Sequence, residues 1–415
     1  MIFSIHTDDH IKSGKQKNGY SYGYNRICKH FSQFQHDGKT LKVTKNDPRS
    51  PVQMFYMEPE WYNQNNMTDL REPGFKKFHD HQYKIQGTHL EATKVWSHWI
   101  DAMNAVDEIW VGNYFARDAV LNSGITTPTY VFEHGIDDMW TPKLRGQGNK
   151  VRFLHVDSGS PRKRADLVQD AFIKLFGSRD DVELTLKYHE NEGYSVLDLF
   201  NRGVKASNIN KIYATLSQDE MVKLFHDHDV LVYPSEGEGF GFIPLQALAT
   251  GMPIISTSRW CSYDKYFKDN IIESKLGKTT HTGYDHGEVV LADFESLMHQ
   301  MKNAFDNINS QSESFYKQAG SVYEEYNWQN KSNLMLNSLI NRIGVDMLNP
   351  LSKQEDTHSR FIYFQNGASY HTKSMTTFTR EDPLHVVSAE EYKKLISIDN
   401  FRDPTEQELS DYLTY

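Results

Sequence analysis

The chain has 415 residues, of which 38% are hydrophobic and 24% charged, and its formal net charge is −10. This length predicts two domains with buried cores and a small appendage, while the negative charge argues against a polyanion as the dominant partner but leaves room for a local basic surface. The two cysteines, Cys28 and Cys261, exclude a disulfide framework and a cysteine metal cluster, and the lack of any apolar run of about 18 residues excludes a membrane-spanning helix.

The first predicted element is a short strand, Met1–His6, which is too short and too polar for a signal peptide, so we expect a cytoplasmic protein. An amphipathic helix is predicted near Tyr24–Phe34. The segment between them predicts a mobile loop with three glycines, Gly14, Gly19 and Gly23. The same segment has three lysines that are either solvated or neutralise phosphate on a donor or acceptor, Lys12, Lys15 and Lys17.

Polar and aromatic side chains follow the next two predicted strands. The strand Val52–Met57 is followed by three of them, Glu58, Glu60 and Trp61. Ligands of open α/β sheets bind beyond the carboxyl ends of strands, so we expect these three residues to contact an acceptor. His89 follows the strand Tyr83–Gln86, and its imidazole either handles an acceptor proton near neutral pH or has a structural role.

A boundary is predicted near Arg145–Asn149, a segment rich in glycine and polar residues. A new strand, Val151–Val156, starts after it. Arg162 and Lys163 then stand at the start of an amphipathic helix, where cations are unfavourable unless an anion answers them. We therefore expect both residues to bind phosphate, Arg162 through two parallel hydrogen bonds and Lys163 as a point charge.

Further strands are predicted at Val182–Tyr188 and Lys211–Ala214. Ser217 and Glu220 form a capping box, which predicts a helix that ends near His228. Strand and helix therefore alternate through residue 257, and this alternation predicts a parallel, doubly wound sheet.

The most informative stretch is 227–257, DHDVLVYPSEGEGFGFIPLQALATGMPIIST. It predicts a buried strand, a glycine-rich loop, a helix and a second strand, over Asp229–Tyr233, Ser235–Gly241, Phe242–Thr250 and Ile254–Thr257. Gly251 is expected to end the helix. A glycine loop before a helix N-terminus binds anions, most often phosphate. Glu236 and Glu238 would repel phosphate and suit sugar hydroxyls, so the combination indicates a nucleotide sugar as the ligand.

Helices are predicted near Phe294–Ile308 and over 323–340, YEEYNWQNKSNLMLNSLI. The tail predicts a strand, a turn and a strand over 361–372, followed by a strand and a capped helix over 385–398. No motif in the tail identifies a ligand, so it is either a structural addition or an element that recognises the acceptor. No Asp-x-Asp motif lies near the strands of the cleft, and we therefore expect no metal.

The stretch 227–257 resembles the sequence signature of the retaining family 4 (group 1) glycosyltransferases, P-S-x-x-E-G-F-G-x-x-x-L-E-A-x-A-x-G-x-P-V-I. The matching positions are Pro234, Ser235, Glu238, Gly239, Phe240, Gly241, Leu245, Ala247, Ala249, Gly251, Pro253 and Ile254. One position departs from the pattern, because Gln246 replaces the glutamate that usually holds the nucleotide ribose in this family. An amide can still donate and accept hydrogen bonds, so we expect nucleotide binding with an altered affinity or preference.

A second block is similar to the same family. Its matching positions are Glu91, Trp99, Asn104, Val106, Asp107, Glu108, Trp110, Val111, Phe115, Arg117, Ser123, Gly124, His134, Gly135, Asp137 and Pro142. The resemblance implies that Thr88, His89 and Glu91 lie beside the reacting sugar. It also implies that His134, after the predicted strand Thr129–Glu133, approaches the donor phosphates. In all, the resemblance covers roughly residues 1–342.

The resemblance implies the GT-B architecture, in which two doubly wound Rossmann-like α/β domains face a cleft, here with a small C-terminal α+β appendage. The expected acceptor domain is 1–145 and the expected donor domain is 146–328. A closing helix, 329–349, is expected to cross back to the first domain, with Trp328 at the usual aromatic position. The accessory tail module is 350–415.

The residues expected to have catalytic roles are His89, Glu91, His134, Arg162, Lys163 and Glu238. The residues expected to bind the donor are Gly19, Ser158, Gly159, Ile212, Tyr213, Leu216, Gly239, Phe240, Gly241, Phe242 and Gln246. The residues expected to bind the acceptor are Lys15, Lys17, Tyr20, Glu58, Glu60 and Trp61. The first arginine of the family's diphosphate clamp aligns with Ser158 and its usual glycine aligns with Arg164, so we expect a partly rebuilt clamp.

The implied reaction is transfer of a hexose or pentose from a nucleoside-diphosphate sugar, most often a UDP-sugar, to an acceptor hydroxyl. The family retains the anomeric configuration by a front-face mechanism, and for this chain we expect neither a metal nor a cofactor. Basic loops, no membrane-seeking patch and a composition rich in Lys, Asn and Tyr favour a hydroxylated cytosine base of phage DNA as acceptor, in the host cytoplasm. A polysaccharide or lipid-linked glycan is the alternative acceptor. A non-catalytic nucleotide-sugar-binding protein is the alternative of another class, because of Gln246 and Ser158.

Overall fold

The structure is a computed structural model that describes residues 1–7, 19–45, 47, 50–57, 59, 82–146, 148–189, 206–279, 287–349, 359–367, 369–371, 377–379 and 383–413. In these ranges the first half of the chain forms a six-stranded parallel sheet in the order β4-β1-β5-β6-β7-β8. Its strands are β1 (Ile2–His6), β4 (Lys42–Lys45), β5 (Val52–Tyr56), β6 (Tyr83–Thr88), β7 (Glu108–Val111) and β8 (Thr129–Val131). A small hairpin of β2 (Gln35–His36) and β3 (Lys39–Thr40) precedes β4.

Helices α1 (Gly19–Phe31), α2 (Ile100–Met103) and α3 (Tyr114–Asn122) accompany this sheet, with a 3₁₀ turn at Ser97–Trp99. The central strand β5 is buried at all five positions. A strand covered on both faces has no solvent-facing side, so the amide side chain of its Gln53 is buried and bonds to the backbone oxygens of Asp47 and Ser50.

The second half forms a five-stranded parallel sheet in its described part, in the order β11-β10-β9-β12-β13. The strands are β9 (Val151–Val156), β10 (Val182–Tyr188), β11 (Ile209–Tyr213), β12 (Val230–Tyr233) and β13 (Ile254–Ser256). Its helices are α4 (Ala165–Phe176), α5 (Gln218–His226) and α6 (Phe242–Ala249). The predicted pair of doubly wound sheets is therefore confirmed, while the predicted domain boundaries stay predictions.

The segment after β13 contains an antiparallel pair, β14 (Ser274–Gly277) and β15 (Val289–Ala292), and three helices, α7 (Phe294–Asp306), α8 (Ile308–Glu325) and α9 (Trp328–Ile343). Helix α9 lies against the first half of the chain, where Leu336 and Leu339 share a buried core with Phe3. At its C-terminal end Arg342 pairs with the buried Glu108 of β7 at 2.8 Å. A buried carboxylate needs such a partner, and this pair fixes the end of α9 to the first sheet.

The tail forms a small α+β unit with its own core. Its elements are β16 (Ser359–Phe364), β17 (Ser369–His371), β18 (Thr377–Thr379), β19 (Leu384–Ser388), α10 (Ala389–Leu395), β20 (Phe401–Arg402) and α11 (Glu406–Leu413). Strand β16 pairs antiparallel with β19 and β20, and β17 pairs with β18. The predicted strand, turn and strand over 361–372 are therefore present, but the two strands belong to different sheets.

The N-terminal helix differs most from its prediction. It was expected at Tyr24–Phe34 after a glycine loop, whereas α1 starts at Gly19, so Gly19 and Gly23 are helical and Gly14 lies outside the described residues. Gly23 has a packing reason, because a Cβ there would collide with the hydroxyl of Tyr56. The glycine thus lets α1 lie close to β5 rather than making a loop.

Other element ends differ by one to three residues. Strand β6 runs two residues past the predicted Gln86 and includes Thr88, β8 ends two residues before Glu133, and β11 starts two residues before Lys211. The predicted helix Phe294–Ile308 ends at Asp306, and a separate helix starts at Ile308. No described helix is long and apolar enough to cross a membrane.

Candidate active site

The glycine loop between β12 and α6 lies at the centre of the site. Gly241 precedes α6 with φ +87°, a left-handed conformation that favours glycine, and a Cβ there would also collide with Trp260 and Tyr263. Gly251, at φ +68°, follows the end of α6 as predicted. Glycine is therefore required at both ends of this helix by backbone conformation.

A buried carboxylate, Glu238, is the hub of a polar network in this loop. It accepts hydrogen bonds from Lys163 Nζ (2.5 Å), Arg162 Nη1 (3.0 Å), the Tyr233 hydroxyl (3.0 Å) and the Ser235 hydroxyl (2.6 Å). Burial by itself would raise the pKa of Glu238, but Lys163 and Arg162 outweigh it and lower the pKa to about 2. Glu238 is therefore ionised at neutral pH, although it is buried.

The same network joins the two halves of the chain. Arg162 Nη2 pairs with Glu91 Oε1 at 2.6 Å, and Glu91 belongs to the loop after β6. Asn113 donates from Nδ2 to the backbone oxygens of Glu238 and Gly239, at 2.9 Å each, while its Oδ1 caps α3. The network around the glycine loop is thus held to the first half of the chain by the ion pair of Arg162 with Glu91 and by the neutral hydrogen bonds of Asn113.

Two glycines of the loop allow the halves to meet through backbone. A Cβ at Gly237 would collide with the backbone of Glu91, and a Cβ at Gly239 would collide with the ring of His89. Both glycines therefore have a packing role across the cleft, in addition to the role in ligand approach that the sequence indicated.

Two histidines lie beside the loop in an aromatic cluster. The Tyr56 hydroxyl is 2.8 Å from His89 Nε2 and 3.4 Å from His134 Nε2, and the ring of His134 stacks on Phe242. Burial lowers the pKa of His89 to about 4 and the pKa of His134 well below its usual value. Both rings are therefore neutral at pH 7, and His89 can accept a proton there only as a weak base.

The turn after β9 carries the other cations. The Asp157 carboxylate accepts from the backbone N–H groups of Gly159 (2.9 Å) and Ser160 (3.0 Å), which fixes the start of the turn. Arg164 follows at φ +59°, a left-handed conformation, at the position where the family usually has glycine. Its guanidinium pairs with Asp166 and Glu236 at 2.9 Å each, and these ion pairs stabilise the unusual backbone.

The sequence predicted an anion beside the two cations at the start of α4. In the structure, protein carboxylates supply part of that negative charge. Arg162 and Lys163 pair with Glu238, and Arg162 also pairs with Glu91. Burial lowers the pKa of Lys163, and the neighbouring Glu238 opposes this change. A diphosphate at this place would therefore have to compete with carboxylates that already neutralise the two cations.

Five of the predicted donor residues lie at or just after the carboxyl ends of strands β9 and β11 of the second sheet. Ser158 and Gly159 start the turn after β9, and Ile212 and Tyr213 end β11. The ring of Tyr213 stacks on Tyr188 with centroids 5.3 Å apart. Leu216 directly precedes the capping box of α5, which is present as predicted.

Gln246 is buried in α6, and its Oε1 has no hydrogen-bond partner among the described residues. A buried amide oxygen without a partner is costly, so its environment suits a ligand hydroxyl or amide. This position is the one departure from the family pattern in the glycine-loop stretch.

Gly19 is not brought into the network, because it starts α1 with open space where a Cβ would stand. Tyr20 follows it in the same helical turn, and its side chain is outside the described part of the structure. The remaining predicted acceptor residues lie outside the described part of the chain, namely Lys15, Lys17, Glu58, Glu60 and Trp61. Among the residues that are described, no group of three or more His, Cys, Asp or Glu could hold a metal ion.

Asn113 is the main residue of the site that the sequence analysis missed. An Asn before an apolar helix is a cap signal, and this signal could have placed Asn113 at the start of α3. Its second role, the bond to the glycine loop, depends on how the two halves meet and has no local signal.

Comparison with known proteins finds a family match in the central region of the chain. Residues 138–278 match the family model described as glycosyl transferases group 1. Two curated proteins align at 22% identity: Uncharacterized protein 356 of Sulfolobus islandicus rod-shaped virus 1, over 54% of this chain, and sulfoquinovosyl transferase SQD2 of Arabidopsis thaliana, over 48%. The aligned segments span 66% and 37% of the lengths of these relatives.

Solved structures resemble the chain over most of its length. Anabaena Alr3699/HepE in complex with UDP-glucose has a TM-score of 0.60 at 10% identity, covering 83% of this chain and 100% of that one. Sucrose-phosphate synthase from Thermosynechococcus elongatus has a TM-score of 0.57 at 10% identity, covering 83% and 99%. WaaG, a glycosyltransferase involved in lipopolysaccharide biosynthesis, has a TM-score of 0.55 at 13% identity, covering 81% and 99%. The predicted GT-B fold is therefore confirmed.

Proposed function

We propose that this protein transfers a sugar from a nucleoside-diphosphate sugar to an acceptor hydroxyl and retains the anomeric configuration. The observation that carries this proposal is the buried network of Arg162, Lys163 and Glu238 at the glycine loop. It combines two phosphate-binding cations with a carboxylate suited to sugar hydroxyls, inside the segment that matches the group 1 glycosyltransferase model.

Departure of the nucleoside diphosphate is the electrostatically demanding step. Negative charge develops on the leaving phosphate, and preorganised cations in a site shielded from water stabilise it strongly. Arg162 and Lys163 are held within a fixed network and are both largely buried, with side chains 9% and 12% exposed. We assign them to the diphosphate, with the N-terminus of α6 as a further source of positive potential.

Glu238 has a double role in this proposal. Without a donor it neutralises the two cations, and with a donor it accepts hydrogen bonds from the sugar hydroxyls. Its low pKa supports this role, since a carboxylate that stays ionised is a strong acceptor. Gln246, whose buried Oε1 lacks a partner among the described side chains, is assigned to the nucleotide ribose.

The acceptor side is assigned to His89, His134 and Glu91. The two imidazoles are neutral, and Glu91 pairs with Arg162, so none of the three is a free carboxylate nucleophile. This arrangement favours the front-face mechanism, in which the departing phosphate takes the proton of the acceptor hydroxyl. His89 then orients the acceptor, and closure of the cleft limits hydrolysis.

We propose a UDP-sugar as the donor, because the Anabaena neighbour was solved with UDP-glucose. We also propose that the reaction needs no metal, since Arg162 and Lys163 supply the positive charge. For the acceptor we propose a hydroxylated cytosine base in DNA, and the viral relative supports this choice. Such a base would have to be flipped out of the duplex or exposed.

A glycan acceptor is the competing possibility. The plant relative is named a sulfoquinovosyl transferase, and WaaG is involved in lipopolysaccharide biosynthesis. The two acceptors differ in a measurable way, because DNA binding falls steeply with salt concentration and glycan binding does not.

Mass spectrometry of a reaction mixture tests the proposal. The mixture contains the protein, a panel of UDP-, GDP- and ADP-sugars, chelator, and DNA with either normal or hydroxylated cytosine; a Lys163→Met variant is the control. We expect a sugar mass on the hydroxylated DNA alone, with chelator present and the variant inactive. Free nucleoside diphosphate without modified DNA would reject the DNA acceptor and support a glycan. Nucleotide binding without any turnover would reject the transferase in favour of a non-catalytic binding protein.

A further inference from the structure

Lys187, near the carboxyl end of β10, is an unusual residue in the second sheet. Its side chain is buried, the residue being 7% exposed, and its ammonium group forms no hydrogen bond or ion pair within the described structure. Among the described residues, two further lysines with largely buried side chains have carboxylate partners: Lys163 pairs with Glu238 at 2.5 Å, and Lys331 pairs with Glu133 at 2.7 Å. Lys187 thus differs from them in having no anion.

A buried ammonium without an anion is expensive. Transfer of a charged group from water to the protein interior costs several kcal/mol unless a partner compensates it. Burial lowers the pKa of Lys187, and Asp157 opposes this change only in part. One oxygen of the Asp157 carboxylate, Oδ1, accepts from the backbone N–H groups of Gly159 and Ser160, and the structure shows no ion pair between Asp157 and Lys187. The described structure therefore offsets only part of the cost of burying this side chain.

The position of Lys187 identifies what could offset that cost. Strand β10 lies between β9 and β11, and the Asp157 N–H donates to the Lys187 carbonyl at 2.8 Å. On the other side Lys187 is in register with Ile212. Lys187 thus stands between the turn that leads to Arg162 and the end of β11, at the sheet edge where ligands of open α/β folds bind.

The direction of the side chain agrees with this position. Leu186 and Tyr188 lie in the core on the α4 side of the sheet, so Lys187, between them, points to the opposite face. In the sequence pattern, Ser158 replaces the first arginine of the diphosphate clamp, directly after Asp157. The turn after β9 thus lacks a cation that the family pattern has. The neighbouring strand β10 carries a cation, Lys187, that has no ion-pair partner among the described residues.

We propose that Lys187 binds the nucleoside-proximal phosphate of the donor and replaces the missing arginine of the clamp. The proposal rests on the proposed function, because it places Lys187 in the same donor site. Arg162 and Lys163 bind the sugar-proximal phosphate in this arrangement, while Lys187 lies on the side of β11, where the base is expected. Lys187 is thus a specificity determinant that distinguishes nucleotides from nucleosides.

Calorimetric titration of the full chain with UDP, UMP and uridine tests the proposal. The Lys187→Met variant keeps the length of the side chain and removes its charge, and Lys187→Arg keeps the charge. Lys211→Met is the matched control, because Lys211 lies on the neighbouring strand in register with Leu186, on the other face of the sheet. Thermal unfolding of each variant without nucleotide accompanies the titrations.

We expect Lys187→Met to weaken both UDP and UMP binding by roughly tenfold to a hundredfold, the loss typical of one hydrogen bond to a charged group. The Kd of Lys187→Met for uridine should stay within about threefold of that of the unmodified protein. The Kd values of Lys187→Arg and Lys211→Met for UDP and UMP should stay within the same range. The unfolding temperature of Lys187→Met should be equal or higher, since the substitution removes an unpaired buried charge.

Unchanged UDP and UMP binding by Lys187→Met would overturn the assignment of Lys187 while leaving the proposed function intact. A marked fall in the unfolding temperature would assign Lys187 a structural role and also overturn it. An unmodified protein that binds neither UDP nor UMP would overturn the proposed UDP-sugar donor together with the inference.

Discussion

Arg162 and Glu91 form a 2.6 Å ion pair between the two halves of the chain, and both residues were expected to act on the substrates. The Arg162 side chain is 9% exposed and the Glu91 side chain 26% exposed, so the pair is only partly screened by solvent. In the proposed function, a donor diphosphate and Glu91 therefore compete for the same guanidinium.

Glu91→Gln should bind UDP about threefold to tenfold more tightly than the unmodified protein. The substitution removes a competitor for Arg162, and a partly buried ion pair contributes roughly 1 kcal/mol. Calorimetric titration measures the change. Asp118→Asn, which neutralises an exposed carboxylate on α3, is the control and should bind UDP normally. Weaker UDP binding by Glu91→Gln would contradict the competition.

Glu238→Gln should make the free energy of unfolding less dependent on pH in the acidic range. The pKa of Glu238 is about 2 in the folded protein against an ordinary value of 4.5. The folded state thus binds fewer protons than the unfolded state between these values. The stabilisation, of the order of 3 kcal/mol, is complete above pH 4.5 and is lost as the pH falls towards 2.

Urea unfolding between pH 3 and 6 measures this effect. The unmodified protein should lose stability more steeply than Glu238→Gln as the pH falls, although the variant is less stable at pH 6 because Arg162 and Lys163 lose their shared anion. Glu295→Gln, an exposed carboxylate 77% accessible, should follow the unmodified protein. Parallel pH profiles for all three proteins would show that folding does not lower the pKa of Glu238.

His89 should titrate far below neutral pH. Burial lowers its pKa to about 4, so the folded protein binds fewer protons at this ring than the unfolded chain between pH 4 and 6.5. NMR titration of the histidine rings, with His89→Gln to assign the signal, should give a midpoint near 4. The transfer rate should accordingly have no inflection near pH 6.5 from this residue. A midpoint near 6.5 would mean that the ring is hydrated.

Arg164→Gly should be more stable than Arg164→Ala by about 1 kcal/mol. Both variants lose the ion pairs to Asp166 and Glu236, but only alanine keeps a Cβ at φ +59°. Chemical denaturation of the two variants isolates the backbone contribution, since their side-chain losses are equal. The same pair of substitutions at Lys174, in the ordinary helical backbone of α4, should reverse the order.

The local patterns predicted the second sheet well. Strands β9 and β10 have the predicted ends, and the capping box at Ser217 is present, because each depends on neighbouring residues alone. The start of α1 was wrong because glycines indicate a loop by themselves, whereas Gly23 serves the contact with Tyr56. That contact joins residues far apart in sequence and leaves no local pattern.

The sequence predicted which residues belong to the site, but it did not predict which of them contact each other. Arg162, Lys163 and Glu238 were all expected in it, yet their direct contact depends on the tertiary packing of the second half. The bond from Arg162 to Glu91 depends on how the two halves meet. For the same reason the unpaired ammonium of Lys187 became visible only after its neighbours were placed. Sequence patterns identify charges, while the three-dimensional arrangement decides which of them have partners.

Gly237 and Gly239 meet Glu91 and His89 with no room for a side chain. In a mutational scan, both positions would therefore reject every substitution, alanine included. Such intolerance is commonly attributed to contact with the ligand. Here much of the intolerance would arise from the close packing of the two halves. Loss of activity on substitution of these two glycines therefore does not show that they contact the donor. Conservative substitutions at Gln246 or Lys187, where a side chain is already accommodated, would be the informative ones.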